Sequence, residues 1–261
     1  MKGLSIIIVN YNGKKFLKNC ITSIVEQCNS FPYEIILLDN ASSDESCHFI
    51  KTEFPEVILI ENIANAGFAK GNNIAANYAK YNTLLLLNND TILLDSIAVV
   101  FNYLQTNEKV GAATIQMLNG EKKYTHSVGK FPSIRNLTFM KQMFYDEKYV
   151  LDKDTVKEID WISGSFLMIS KEIWDKVGGF SEDYFMYVED VDFSKKLENL
   201  NLKRVFFPAL KYIHFVGYNK KRIPIILKNY YIYIDKHFSL IGNILAKSII
   251  FSKLLKFRIF Q

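Results

Sequence analysis

The chain has 261 residues, 49% of them apolar, and a net charge of +5, which is ample for a full core and excludes a disordered or collagen-like chain. Its three cysteines, Cys20, Cys28 and Cys47, are too few and too irregularly spaced for a disulfide framework or a zinc knuckle, so reduced, buried thiols are expected. The charge is uneven: residues 220–261 carry nine Lys or Arg against Asp235 alone, a segment at +8 beside a remainder at −3.

Leu4 to Val9 is apolar and β-branched and reads as a first strand; it is too short for a secretory leader and lacks a small-residue cleavage site, so a cytoplasmic setting is expected. Asn10-Tyr11-Asn12-Gly13 breaks it, and Phe16 to Gln27 has helical apolar spacing. Glu34 to Leu38 is a second strand, ended by Asp39-Asn40-Ala41-Ser42-Ser43-Asp44, where Ser42 or Ser43 is the expected cap of a helix through Ile50. Val57 to Ile60 is a third strand, Asn62 to Gly71 a turn-rich segment and Asn72 to Tyr81 a helix. Leu84 to Leu87, wholly apolar, is a fourth strand buried on both faces, and it runs into Asn88-Asn89-Asp90-Thr91. A helix over Ile97 to Leu104 and a strand over Val110 to Met117 complete an alternation that predicts a mainly parallel, right-handed α/β sheet.

Beyond residue 120 the pattern loosens. Residues 121–158 suggest a loop-rich, partly helical excursion, and Trp161 to Ser170 a strand interrupted by Gly164. Gly178-Gly179-Phe180 marks a turn, Asp192 to Leu200 a helix, and Arg204 to Phe207 a strand ended by Pro208. From Ile223 onward two amphipathic helices are expected. No apolar run there approaches the roughly 20 residues of a spanning helix. The tail therefore reads either as a basic segment lying on an anionic membrane surface or as helices packed on the domain.

Ligands of an open α/β sheet sit beyond the carboxyl ends of its strands, which is where Asn10, Tyr11, Asp39 and Asp90 fall. Asp39 suits either a base N–H or ribose hydroxyl, or an Asx-turn. Asn65-Ala66-Gly67-Phe68-Ala69-Lys70-Gly71-Asn72-Asn73 is neither GxGxxG nor a Walker loop, but its glycines allow close backbone approach to a diphosphate at the following helix. Asp90, a hard oxygen donor, suits a divalent metal held jointly with substrate phosphates. Glu189-Asp190-Val191-Asp192 sets three acids among aromatic residues, where desolvation raises carboxylate basicity toward that of a general base. His214 becomes a metal ligand only if the fold brings it to Asp90, and is otherwise a core group.

The ordered set resembles the family 2 glycosyltransferases, in the rhamnosyltransferase-like branch of bacterial surface polysaccharide assembly. The resemblance is carried by Ser5–Asn12, Leu38–Asp44, Asn65-x-Gly67-Phe68-Ala69-x-Gly71-x-Asn73, Leu87–Thr91, Gly178–Phe180, Tyr187-x-Glu189-Asp190-Val191-Asp192 and His214. It implies a GT-A fold over residues 1–217, with a nucleotide-sugar half (1–118), an acceptor half (119–217) and a basic helical tail (218–261). It further implies that Val9, Asn10, Tyr11, Asp39, Asn65, Gly67, Phe68, Gly71, Asn73, Asn88, Asn89 and Asp90 meet a dTDP- or UDP-linked sugar donor. By the same resemblance Asp90, with His214 as a further ligand, holds Mg²⁺ or Mn²⁺. Gly164, Ser165 and Glu189 meet a saccharide or lipid-linked acceptor, and Asp190 is the base of an inverting transfer. The family's common Asp-x-Asp is departed from here, because Asn88 takes the first acidic place. The implied setting is cytoplasmic, peripheral on the inner face of the membrane. A sugar nucleotidylyltransferase is an alternative, but the chain lacks a glycine-rich, arginine-bearing loop after the first strand. A non-catalytic sugar-nucleotide or membrane-binding module is another, disfavoured by the intact acids at 90 and 190. No nucleic-acid module is visible.

Overall fold

The computed structural model describes residues 1–152, 155–215 and 222–259. The boundary expected at 217/218, and Lys220 and Lys221 of the basic tail, lie outside those residues. The first half alternates as expected: β1 (Leu4–Asn10), α1 (Lys14–Gln27), β2 (Tyr33–Asp39), α2 (Ser46–Glu53), β3 (Ile58–Glu61), α3 (Gly67–Ala76), β4 (Thr83–Leu87), β5 (Thr91–Leu93), α4 (Ala98–Thr106) and β6 (Val110–Leu118). There follow β7 (Val128–Gly129), α5 (Ile134–Thr138), a 3₁₀ turn at Met140–Met143, α6 (Glu147–Leu151), β8 (Lys157–Ile159), β9 (Trp161–Ile162), β10 (Phe166–Ser170), α7 (Lys171–Val177), α8 (Glu189–Asn199) and β11 (Lys203–His214). The chain then enters α9 (Ile223–His237) and α10 (Leu240–Ile259).

One sheet carries the order β3-β2-β1-β4-β10-β6-β11-β5, with β8 paired to β11. Neighbours β1–β2, β1–β4, β2–β3 and β6–β11 are parallel. β10 is antiparallel to both β4 and β6, and β5 and β8 are antiparallel to β11. Side chains of a strand alternate between faces. Ile6 and Ile8 thus join a core with α1, α2 and α4, while Ile7 joins the opposite core with α3, α7 and α8. A third cluster seats α9 and α10 through Leu227, Tyr230, Ile234, Ala246 and Ile250 against Tyr184, Val188 and Val191. The tail therefore packs on the domain through one face.

Several boundaries differ from those the sequence predicts. α2 starts at Ser46, with Asp44 Oδ1 taking the Ser46 N–H at 3.2 Å, because Ser42 and Ser43 are engaged with Asn12 and Asp39. α3 starts at Gly67, where Asn65 Oδ1 accepts the Gly67 N–H at 2.9 Å, so the glycine-bearing stretch is helical rather than a loop. β11 continues past Pro208, whose missing N–H is absorbed by a register shift between Phe207 and Lys211. Of the thiols, Cys20 and Cys28 are buried as expected, whereas Cys47 is only half-buried.

Candidate active site

The carboxyl ends of β1, β2 and β4 meet through side-chain amides. Asn10, fully buried, donates Nδ2 to Asp39 Oδ2 (2.8 Å) and accepts Asn89 Nδ2 on Oδ1 (2.6 Å). Asp39, 1% exposed, accepts the Ser42 N–H on Oδ1 at 2.7 Å, which closes the Asx-turn its position allows. Ser42 Oγ in turn accepts the Asn12 N–H at 2.8 Å. Tyr11, 53% exposed, stands open beside this network.

The glycine-bearing helix fastens to its surroundings at close range. Asn40 bridges from β2, donating Nδ2 to the Gly67 carbonyl (3.0 Å) and accepting the Ala66 N–H (3.3 Å). Gly67 has φ +83°, and a Cβ there would lie 2.4 Å from the Phe185 carbonyl that accepts the Phe68 N–H. Gly71 permits α3 to approach Val9, where a Cβ would come within 2.9 Å. Asn73 spends its amide on the Phe180 carbonyl and N–H, both at 2.9 Å, so it secures the Gly178-Gly179-Phe180 turn.

Beyond β4, Asp90 is 3% exposed, and its Oδ1 lies 3.1 Å from His214 Nε2. The same nitrogen is 3.1 Å from Asn88 Nδ2. β11 delivers His214 here because it pairs antiparallel with β5, setting His214 opposite Thr91. An imidazole nitrogen so close to a carboxylate oxygen requires a proton or a cation between them. Asn88 Oδ1 is buried with no partner. The described residues contain no group of three His, Cys, Asp or Glu side chains suited to a metal. Asp90 and His214 with an unsatisfied amide oxygen beside them nonetheless fit a hard cation whose other ligands are phosphate oxygens and water.

The acidic stretch opens α8. Tyr187 and Val188 both adopt left-handed φ, +73° and +72°, and turn the chain so that Glu189 and Asp190 stand at the helix N-terminus. Asp190 accepts the Gly164 N–H on Oδ2 (3.0 Å) and the Val191 N–H on Oδ1 (2.9 Å). Burial raises the Asp190 pKa and those N–H groups oppose the rise. Glu189 is 4% exposed with Oε2 unpartnered; burial, then the charge of Asp190, lifts its pKa well above the ordinary glutamate range. Asp192 faces away: its Oδ1 accepts His237 Nε2 at 2.7 Å, and Lys196 Nζ is 3.5 Å from Oδ2. Burial pushes Asp192 up, but His237, Lys196 and Lys236 outweigh it and hold the group below the usual carboxylate range.

Gly164 and Ser165, between β9 and β10, join the two acidic regions. Gly164 bonds Asp190, and the next residue's carbonyl accepts the Asn88 N–H at 3.1 Å. Ser165 Oγ meets the Tyr212 hydroxyl at 2.8 Å, and burial followed by the charges of Asp90 and Asp190 raises the Tyr212 pKa. The structure thus gathers Asn10, Asp39, Asn88, Asn89, Asp90, Gly164, Ser165, Glu189, Asp190 and His214 at one end of the sheet, with Gly67 and Phe68 clamped to the Phe185 loop. Sequence reasoning missed Asn12, Asn40 and Tyr212. Asn12 and Asn40 belong to turn clusters already singled out, and Tyr212 lies two residues from His214 on the same strand.

A sequence model described as Glycosyl transferase family 2 matches residues 5–177. The chain is 26% identical over 231 residues to the rhamnosyltransferase WbbL of Escherichia coli K12, covering 83% of this chain and 84% of that one. It is 35% identical over 68 residues to the N-acetylglucosaminyl-diphospho-decaprenol L-rhamnosyltransferase of Mycobacterium tuberculosis H37Rv, covering 26% of this chain and 22% of that one. Among solved structures it resembles GalNAc-T7 with UDP, GalNAc and Mn²⁺, with TM-score 0.70 and 18% identity, over 89% of this chain and 48% of that one. With the family's sequence pattern running through β1, β2, β4 and β10 of this site, the chain belongs to glycosyl transferase family 2 and is a glycosyltransferase.

Proposed function

We propose that this enzyme is an inverting hexosyltransferase that moves a sugar, rhamnose or another hexose, from a dTDP- or UDP-linked donor to a saccharide or lipid-linked saccharide acceptor. Residues 1–118 hold the donor, residues 119–217 the acceptor, and Asp190 is the general base. The observation that carries the reading is the Gly164–Ser165 junction, which ties Asp190 to one residue and Asn88, two residues before Asp90, to the next.

In the mechanism, Asn10, Asp39 and exposed Tyr11 line the site of the nucleoside and the diphosphate extends from it toward Asp90, whereas the Gly67 turn, whose N–H groups are taken by Asn65 and the Phe185 carbonyl, holds the Phe185 loop in place. Asp90 and His214, with Asn88 Oδ1 alongside, would hold Mg²⁺ or Mn²⁺, which supplies charge neutralisation at the departing diphosphate. Asp190 takes the proton of the acceptor hydroxyl as that oxygen forms its bond to the anomeric carbon. The bond from that carbon to the diphosphate oxygen breaks with its electron pair, on the opposite face, and the anomeric centre inverts. Glu189, which burial pushes toward its neutral form, orients the acceptor. Support for the metal comes from the buried Asp90–His214 contact and the unmet Asn88 oxygen; support for a lipid-linked acceptor comes from the name of the Mycobacterium relative.

No described helix is long and apolar enough to cross a membrane. Support for α10 lying on an anionic membrane surface is its outward face, where Leu240 (81% exposed), Ile241 and Ile244 stand with lysines and no acid beyond Asp235. The test of the donor reading is thermal stabilisation by a panel of nucleoside-diphosphate sugars with and without Mn²⁺. One or more donors should raise Tm only with the metal, and Asp90→Ala should remove that dependence. A panel that never shifts Tm would sink the reading.

A further inference from the structure

A concavity near the carboxyl end of β6 is lined by none of the donor residues named above. It encloses about 500 Å³ and is lined by Gln116, Lys122, Lys123, Tyr124, Leu151 and Lys211 among others. Gln116 and Leu118 lie near the carboxyl end of β6, and Lys211 sits opposite Gln116 on β11. Gln116 shares its sheet face with Ala112, which joins the core beneath α8, the helix that carries Asp190. The backbone links the cavity to the base: the Thr125 N–H donates to Met117, and the Ser163 N–H to Ser127. Two strand spacings, about 10 Å, therefore separate β6 from the segment whose next residue, Gly164, bonds Asp190.

The chemistry of the lining is specific. The Asn119 side chain accepts the Glu121 and Lys123 N–H groups, both at 3.0 Å, and the turn so formed holds Lys122 at φ +58°. Lys123 pairs with Glu121, but among the described residues no carboxylate lies within ion-pair reach of Lys122 or Lys211. Gln116, 2% exposed, gives Nε2 to the Met117 carbonyl, while its Oε1 is buried without a partner. Two ammonium groups without an ion-pair partner among the described residues, Lys211 with the Asp95 carboxylate on its backbone N–H rather than on its side chain, suit an anion, and an unmet amide oxygen suits a hydroxyl donor. Tyr124 and Leu151 supply the apolar wall on which a sugar ring rests.

We propose that this cavity binds a sugar phosphate: it holds the phosphate of a phosphorylated saccharide acceptor at Lys122 and Lys211, with Gln116 on a ring hydroxyl, while the sugar reaches toward Asp190. The inference rests on the acceptor reading above, but its test needs no turnover. Glucose 1-phosphate, methyl glucoside and inorganic phosphate are titrated against the full chain without donor or metal, followed by NMR or calorimetry. Glucose 1-phosphate should bind at least tenfold tighter than methyl glucoside. Lys122→Gln with Lys211→Gln should lose that advantage, Gln116→Leu should weaken glucose 1-phosphate but not inorganic phosphate, and Asp90→Ala should change neither. Equal affinity of the double variant and the parent for glucose 1-phosphate would overturn the proposal. So would a double variant that loses only binding to phosphatidic acid vesicles, which would make the lysines a lipid headgroup contact. If Asp190→Asn left turnover intact, the transfer mechanism would fall while sugar phosphate binding here would stand.

Discussion

Asp190 accepts two backbone N–H groups, whereas the neighbouring Glu189 leaves one oxygen buried and unbonded. Burial raises both, and the charge of Asp190 raises Glu189 further, so Glu189 is pushed the harder of the two toward its neutral form while backbone N–H groups support the Asp190 carboxylate. Asp190→Asn keeps the shape and removes the base; turnover should fall by at least about 100-fold with donor-induced thermal stabilisation retained. Glu189→Gln tests the pair in another way. A carboxyl raised on folding contributes stability that is present below its unfolded pKa and is lost as pH rises through the folded value. Parent and variant should therefore melt alike near pH 4, and Glu189→Gln should be the more stable as pH rises to 7; a constant difference across that range would refute the assignment. The acidic stretch 189–192 was legible in the sequence because three carboxylates among aromatic residues are unusual. The residues themselves did not single out Asp190, which only the family resemblance did, since the contacts that set it apart, Gly164 on Asp190 and His237 on Asp192, are distant in the chain.

At the scale of elements, the start of α8 carries a cost. Left-handed φ at Tyr187 and Val188 is unfavourable by roughly 1–2 kcal/mol per residue. α9 braces this corner: Asn229 Nδ2 donates to the Met186 and Tyr187 carbonyls at 2.7 and 2.8 Å, Lys236 pairs with Asp183, and His237 bonds Asp192. Asn229→Ala should lower stability by about 1–3 kcal/mol and reduce kcat with little change in donor KM. Chemical denaturation and steady-state kinetics measure the two effects. His237→Ala leaves Asp192 buried with the Tyr184 hydroxyl, Lys196 and Lys236 as its remaining partners, so a loss toward the lower end of about 3–5 kcal/mol is expected in the same denaturation experiment. The strands and helices of the first half were legible from alternation and apolar runs. α7 was not read, although Ser170 caps it through the Ile173 N–H and Gly178 ends it at φ +81°; both signals stood in the sequence. β5, β7 and β8 escaped because two or three residues carry too little periodicity to be seen, and tertiary pairing alone makes them strands.

Over the whole molecule, the tail has two characters. α9 is seated in the third cluster and braces α8, while α10 buries Ala246 and Ile250 and turns Leu240, Ile241, Ile244 and Phe251 outward. Replacing Leu240, Ile241 and Ile244 together by Ser should weaken binding to anionic vesicles by about 100-fold without lowering Tm, and added salt should weaken the parent as well. Sedimentation with vesicles measures this, and binding indifferent to both changes would leave α10 as packing alone. The sequence made the basic tail plain, yet its attachment through Tyr230 and Asn229 depends on a loop some forty residues earlier. β10 bears on motion. Because it runs backwards between β4 and β6, pairing with β4 along its length and with β6 at Met168–Ala113, the two sides of the sheet are joined by backbone pairing. Among the described residues one sheet runs through both sides, with no break between strands to mark a crease along which two lobes could swing apart. Substrate entry and product exit must be managed by the 121–151 excursion and the Tyr184–Val188 corner, and structures with and without donor should superpose strand for strand while those two segments differ.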